Sequence, residues 1–209
     1  MNKAFKNFDV RLITIMLLLM ALFACRDNCS TQLDEQQLFI GDDIAIAQTQ
    51  YGKVQGFVLR GIHQFRGIPY GDNTAGKNRF MPPRPPQPWD DVRPAVWWGN
   101  TAPQIMEGRF ANQWSSFVDH WNYDELSEDC LRLNIWTPAL ADGKKRPVLV
   151  WLHGGGYTNG NGIEQDGYDG ENLSRKGDIV FVSINHRLGP IGFTDFSGVG
   201  GERYKYSGN

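Results

Sequence analysis

The chain has 209 residues, 41% of them hydrophobic, with 21 Lys and Arg against 23 Asp and Glu for a formal net charge of -2. That length suffices for one core of ordinary size. The near balance of charge provides no basic surface for nucleic acid or an anionic membrane, so small neutral or apolar partners are expected.

Lys3, Lys6 and Arg11 precede an apolar stretch, residues 12–23, that is too short to span a bilayer. This is the layout of a secretory signal, residues 1–24, that is removed on export. Leu22-Phe23-Ala24-Cys25 resembles a bacterial lipobox, in which Cys25 is lipidated and becomes the new N-terminus. Several acyl chains on one residue anchor stably where one does not. Phe23 stands where a small residue is usual, so secretion after Ala24 without lipid is the alternative. Either way the expected location is exported: the bacterial cell envelope, with membrane contact only through the anchor.

Residues 25–43 are polar and aperiodic, as in a tether. Order is expected from Ile44, with a strand meander over residues 44–49, 54–59 and 62–66 broken by Tyr51-Gly52 and Arg60-Gly61 turns. Five prolines within residues 82–88 exclude a helix or an internal strand. They form either a rigid loop packed through Phe80 and Trp89 or a PxxP ligand. Six of the seven tryptophans lie between Trp89 and Trp136, placed to line an apolar pocket or to cover the core. Residues 131–136 read as a strand closed by Pro138. Residues 148–152 and 179–184 are continuous apolar runs, the pattern of strands buried on both faces of a parallel sheet. Between them, residues 171–176 ahead of Gly177 predict a short helix with a glycine C-cap. Strand, crossover helix and strand together make the fold class α/β.

The three cysteines indicate neither a zinc site nor a disulfide framework. Cys130 reads as a buried small hydrophobe. A bridge from Cys29 to Cys130 is the alternative in an oxidising compartment, and its geometry is not readable from sequence.

Chemistry concentrates in His153-Gly154-Gly155-Gly156-Tyr157, directly after the apolar run 148–152. Consecutive glycines after a buried strand can aim backbone N–H groups at a reacting atom with no Cβ in the way, which is how acyl-transfer enzymes hold a tetrahedral oxyanion. The bland alternative is a tight turn. Neither the P-loop spacing nor Gly-x-Gly-x-x-Gly is met, since Asn159 occupies the last glycine position. A Gly-x-Ser-x-Gly nucleophile motif is absent from the 209 residues.

From about Tyr51 to Asn209 the chain resembles the N-terminal part of a type-B carboxylesterase, the α/β-hydrolase family that includes cholinesterases and bacterial esterases. The resemblance rests on Phe65-Arg-Gly-Ile-Pro-Tyr70, Arg79-Phe80 with the proline loop and Trp89, Ala102-Pro-Gln104, the run from Ser127 to Pro138, the glycine loop, Tyr168-Asp169-Gly170 and the run from Ser183 to Phe193. It implies that residues 44–209 are an incomplete α/β-hydrolase domain, a strand meander plus the first buried strands of the central sheet. It also implies oxyanion donors at Gly155 and Gly156, in the loop begun by His153 and Gly154, and a third donor after the serine. The Ser, acid and His of the triad would lie beyond this span, so the chain alone is expected to be inactive. By that order neither His153 nor His186 is the triad base, and His186 reads as structural. Tyr157 is a candidate for the substrate pocket. So is Trp121, whose position resembles that of the cation-binding tryptophan of cholinesterases.

Three departures from the family pattern stand out. Arg132 replaces an aromatic or Thr, the expected disulfide partner of Cys130 near Ala102-Pro103 is missing, and the 209 residues stop before the nucleophile. The implied activity is hydrolysis of a small-molecule carboxylic ester through an acyl-serine, with no metal or organic cofactor. A non-catalytic, lipid-anchored binding protein of the same fold and a truncated gene product are the alternatives.

Overall fold

The computed structural model describes residues 37–105 and 125–208, which belong to one compact unit. The signal segment, Cys25, Cys29 and Trp121 lie outside the described residues. In chain order the described strands are β1 (Leu38–Phe39), β2 (Ile46–Gln48), β3 (Lys53–Gln55), β4 (Phe57–Leu59), β5 (Ile62–Pro69), β6 (Arg93–Pro94), β7 (Arg132–Thr137), β8 (Val148–Leu152) and β9 (Val180–Ile184). The helices are α1 (Glu171–Gly177), α2 (Gly189–Phe193) and α3 (Ser197–Gly200).

Six strands form the main sheet in the order β1-β4-β5-β7-β9-β8, and β2-β3-β6 form a small second sheet. Only β8 and β9 of the main sheet run parallel; β1, β4, β5, β7 and β9 pair antiparallel. The predicted strand over residues 54–59 is two strands in different sheets. Gly56 divides them: its N–H donates to the Ala45 carbonyl (2.9 Å), and a Cβ there would overlap the Gln64 carbonyl. Within the stretch read as tether, Leu38 and Phe39 already pair with Leu59 and Val58.

The core lies between the two sheets and under α1. Val54, Phe65, Ile68 and Ala95 form one buried cluster, with Trp89 packed against it. Trp89 also donates its Nε1–H to the Lys53 carbonyl (2.7 Å), so the proline loop is a rigid appendage of the body. Ile62, Trp136 and Phe181 form a second cluster, capped by Trp98. Trp89, Trp98 and Trp136 thus cover core, and no described tryptophan lines the cavity beside the glycine loop.

Helix α1 crosses from β8 to β9 and seats Ser174 against the sheet, its hydroxyl donating to the Trp136 carbonyl (3.0 Å). Its C-cap differs from the expectation: Gly177 is the last helical residue and Asp178 takes the left-handed turn (φ 47°). The exchange has a reason in charge. Arg146, just before β8, donates Nε–H to Asp178 (2.7 Å) and grips Asp142 with both terminal nitrogens (2.9 and 2.7 Å). One guanidinium therefore ties the turn that enters β8 to the turn that leaves α1.

Strand β8 is where burial departs most from the expectation. Its pattern and parallel pairing are as expected, yet all five residues are exposed, Val148 and Leu152 by 62% and 63%, because β8 is the sheet edge with a neighbour on one side only. In β9, one strand inward, Phe181, Val182 and Ser183 are buried. Among the described residues no helix is long and apolar enough to cross a membrane. The contrast between the two strands is measurable. Phe181→Ala should cost about 3–5 kcal/mol, as for a core aromatic, and Val148→Ala no more than about 0.5 kcal/mol, as for a surface position, by urea unfolding. Equal costs would mean that β8 is covered in solution.

Candidate active site

Parallel pairing sets Leu152 opposite Ile184, so the segments leaving β8 and β9 emerge side by side at the carboxyl edge of the sheet. This is where α/β sheets place ligands. His153 starts one segment, and Asn185, His186 and Arg187 form the other. The two imidazoles stack, with centroids 4.6 Å apart and planes within 6°. Each Nδ1 lies 2.8 Å from a backbone carbonyl, of Gly154 for His153 and of Arg187 for His186. His186, read from sequence as structural, is therefore part of the site wall.

The loop after His153 turns through Gly155 (φ 118°) and Gly156 (φ 61°) and reaches Tyr157, which holds φ 63°. The Gly155 carbonyl accepts N–H bonds from Thr158 (3.1 Å) and Asn159 (3.2 Å) and the Thr158 hydroxyl (3.0 Å), which closes the turn. The Gly155 and Gly156 N–H groups donate to no acceptor among the described residues, and both glycines are exposed. A Cβ on Gly155 would fall inside the Asn159 carbonyl, so glycine is required by space as well as by φ.

Three amides hold the far side of this loop. Gln104 accepts from Gly160 N–H (2.9 Å) and donates back to the Gly160 carbonyl (3.0 Å). Asn161 accepts from Ile163 N–H (2.8 Å) and donates to Thr101 Oγ1 (3.1 Å). Asn185 accepts from Gly162 N–H (2.8 Å) and donates to the Asn100 carbonyl (2.9 Å). Sequence reasoning missed all three as positioning residues. Gln104 and Asn185 do sit inside family-like motifs, but one sequence does not show which amide meets which loop.

The loop borders an apolar cavity of about 690 Å³, lined by the aliphatic Leu131, Leu152, Ile184 and Leu188 together with His153, Gly154, Gly156, Tyr157, His186, Phe193, Tyr70 and Pro83. Tyr70 donates its hydroxyl to the Asn185 carbonyl (2.7 Å), and burial pushes its phenol well above the usual range. Arg187 is fully buried beneath, donating to the carbonyls of Met81 (2.9 Å) and Gly208 (3.1 Å). Burial lowers its pKa, opposed by the nearby Cys130 and Tyr70. Cys130 is a free thiol with no exposure, packed with Ala102 and Leu188, and burial pushes it up to about 12. Arg132 pairs with Asp129 and borders a separate polar pocket with Arg93. Among the described residues no group of three or more His, Cys, Asp or Glu is placed to hold a metal.

A parallel strand pair with a glycine loop at its carboxyl edge, on a sheet begun by an antiparallel meander, is the N-terminal portion of an α/β-hydrolase fold. The model of the Carboxylesterase family matches residues 43–203, and the chain belongs to that family. It is 41% identical over 155 residues to a para-nitrobenzyl esterase of Bacillus subtilis, covering 73% of this chain and 29% of the relative. It is 42% identical over 157 residues to a phenmedipham hydrolase of Pseudarthrobacter oxydans, covering 75% and 30%. Among solved structures, an esterase from Clostridium hathewayi described as able to hydrolyze aliphatic aromatic polyesters superposes with a TM-score of 0.73 at 38% identity, over 83% of this chain and 33% of that one. A Geobacillus stearothermophilus carboxylesterase superposes with a TM-score of 0.66 at 39% identity, over 79% and 31%. The chain thus spans about 30% of the length of the relatives it matches, and the domain is incomplete.

The site's supports can be tested one at a time. Gln104→Ala should speed exchange of the Gly160 amide about fivefold, the equivalent of one hydrogen bond of about 1 kcal/mol, while amides of β7 and β9 keep their protection. An unchanged Gly160 would remove Gln104 as a support. The Cys130 thiol ionises near 9.0 in the unfolded chain and only at about 12 in the fold, so its contribution is complete below pH 9 and is lost as pH rises toward 12. Cys130→Ser, whose hydroxyl does not ionise there, should flatten the fall in melting temperature between pH 9 and 11; an identical slope would refute the assignment.

Proposed function

We propose that this chain supplies the oxyanion-binding part of a carboxylic ester hydrolase that works through an acyl-serine intermediate. The observation that carries the reading is the pair of uncommitted N–H groups of Gly155 and Gly156, both at positive φ, in the loop whose Gly154 and Gly156 line the apolar cavity. An ester carbonyl seated there would place its oxygen at those two donors. As a serine oxygen adds to the carbonyl carbon and its proton passes to a base, the carbonyl oxygen takes up the negative charge and the donors hold it. Collapse expels the alcohol, and water then releases the acid by the same two steps. The serine, acid and base of this scheme belong to the part of the family fold beyond these 209 residues, so the chain alone is inactive. The apolar lining favours a small, uncharged ester, in keeping with esterase relatives. No cofactor is needed.

The location proposed is the bacterial cell envelope, through export and lipidation at Cys25, which the basic start and the Leu22 to Cys25 motif support. Intact-mass analysis of membrane-extracted protein should give a chain that begins at Cys25 and carries lipid. A chain beginning there without lipid removes the anchor.

The hydrolase reading is tested with a serine-directed phosphonate and a chimera. The chain alone should form no adduct at any single serine. A chimera in which residues 43–203 replace the matching span of the Bacillus subtilis para-nitrobenzyl esterase should hydrolyse an activated ester, and Gly155→Ala in it should lower kcat by about 10²–10³-fold with KM little changed. A folded chimera whose kcat is indifferent to Gly155→Ala would refute the oxyanion assignment.

A further inference from the structure

Arg132, one of the departures from the family pattern, borders the polar pocket beside a second arginine, Arg93. Arg93 lies in β6 opposite Val54 of β3, with its guanidinium over the Trp89 ring, 4.2 Å from the centroid. Trp89 is itself fixed, its Nε1–H on the Lys53 carbonyl and its backbone N–H on the Tyr51 carbonyl (2.8 Å). A planar fork stacked on a fixed indole is preorganised, and loses little freedom when its edge meets a ligand. Among the described residues no acceptor takes a hydrogen bond from Arg93 and no carboxylate pairs with it. Burial and the charge of Arg132 lower its pKa, and Asp129 acts in the opposite direction. Arg132 already spends a terminal nitrogen on Asp129, so two guanidinium groups share the pull of one carboxylate. Asp72 also lines the pocket, but each of its oxygens already accepts a hydrogen bond, Oδ1 from the Asn73 N–H (2.9 Å) and Oδ2 from the Gln87 side-chain amide (3.3 Å). The groups left to meet a ligand are therefore the two forks. The enclosed volume is about 140 Å³, and the buried Pro69 and Pro86 give its lining two apolar ring faces.

We propose that this pocket is a binding site for a short-chain monocarboxylate, its carboxylate gripped by Arg93 with Arg132 alongside and its alkyl part laid against Pro69 and Pro86. A carboxylate matches the guanidinium fork with two parallel N–H···O bonds. The two arginines of the lining are balanced by Asp72 and Asp129, so one added negative charge meets the forks while a second, as on a phosphate dianion, is opposed by both aspartates. The size of the pocket limits the alkyl part to a few carbons. The pocket shares no lining residue with the cavity beside the glycine loop, so the inference does not depend on the hydrolase reading.

The test titrates the nitrogen-labelled full chain with sodium propionate, propionamide and inorganic phosphate at matched ionic strength, and follows the Arg93 Nε–H resonance by NMR. Propionate should move that resonance saturably. Propionamide, equal in size and uncharged, should bind about tenfold more weakly or worse, the worth of a charge-assisted hydrogen bond. Phosphate should bind no more tightly than propionate. Arg93→Gln should weaken propionate by about tenfold, read from the ligand's own signals, with the backbone amides of β7 and β9 in place to show that the fold is kept. Arg93→Lys keeps the charge with less risk to the fold, and should still weaken propionate by about threefold because an ammonium cannot supply the fork. The proposal is overturned if the Arg93 resonance shows no saturable shift, if propionamide matches propionate, if phosphate binds more tightly, or if either variant binds propionate as the wild type does.

Discussion

The parallel register of β8 and β9 decides where everything chemical in this molecule sits. Because Leu152 lies opposite Ile184, the next residues of both strands leave the sheet at one level, and His153 and His186 meet face to face. Had β8 run antiparallel to β9, the glycine loop and the Asn185-His186-Arg187 segment would leave from opposite ends, with no cavity between them. Parallel pairing demands a crossover, and α1 with its flanking turns provides one. Ser174 on the Trp136 carbonyl seats the helix of that crossover on the sheet, and Arg146, between Asp142 and Asp178, ties the crossover's end to the turn that enters β8.

Once the register is set, the loop is held by hydrogen bonds that leave its inner donors uncommitted. Gln104, Asn161 and Asn185 each satisfy an N–H on the far side, at Gly160, Ile163 and Gly162, and the Gly155 carbonyl closes the turn on Thr158 and Asn159. The amides of Gly155 and Gly156 remain uncommitted. Such preorganisation is what electrostatic stabilisation of an oxyanion requires, since donors that must first be reoriented lose much of their worth. In the buried layer beneath, beside Arg187, burial disfavours charge on the Tyr70 phenol and the Cys130 thiol, so both keep their protons and pack as neutral groups.

The edge at β8 shows how far this span is from a closed domain. Five consecutive apolar residues with one neighbour and exposed side chains are a strand built for the middle of a sheet. The open edge agrees with the match to about 30% of the length of its relatives. An apolar edge of this kind is also an aggregation hazard when left open.

Local chemistry alone made several features legible in the sequence. The apolar runs at β8 and β9, the helix between them, the proline loop and the HGGG loop could be placed because each depends on neighbouring residues: strand patterning, proline's missing N–H, and glycine's access to positive φ. The splitting of residues 54–59 at Gly56 was hidden, since it arises from the approach of the Gln64 carbonyl across the sheet. The αL residue at Asp178 was hidden likewise, as its partner Arg146 is 32 residues away. The stacking of His186 on His153 and the three amides behind the loop were decided only in three dimensions. Each joins residues far apart in the chain or depends on side-chain orientation, and which distant donor meets which acceptor is set by strand register, which one amino-acid sequence does not display. The sequence by itself determined that a glycine turn comes after an apolar strand; the tertiary structure determined which of its amides stay uncommitted and what faces that turn.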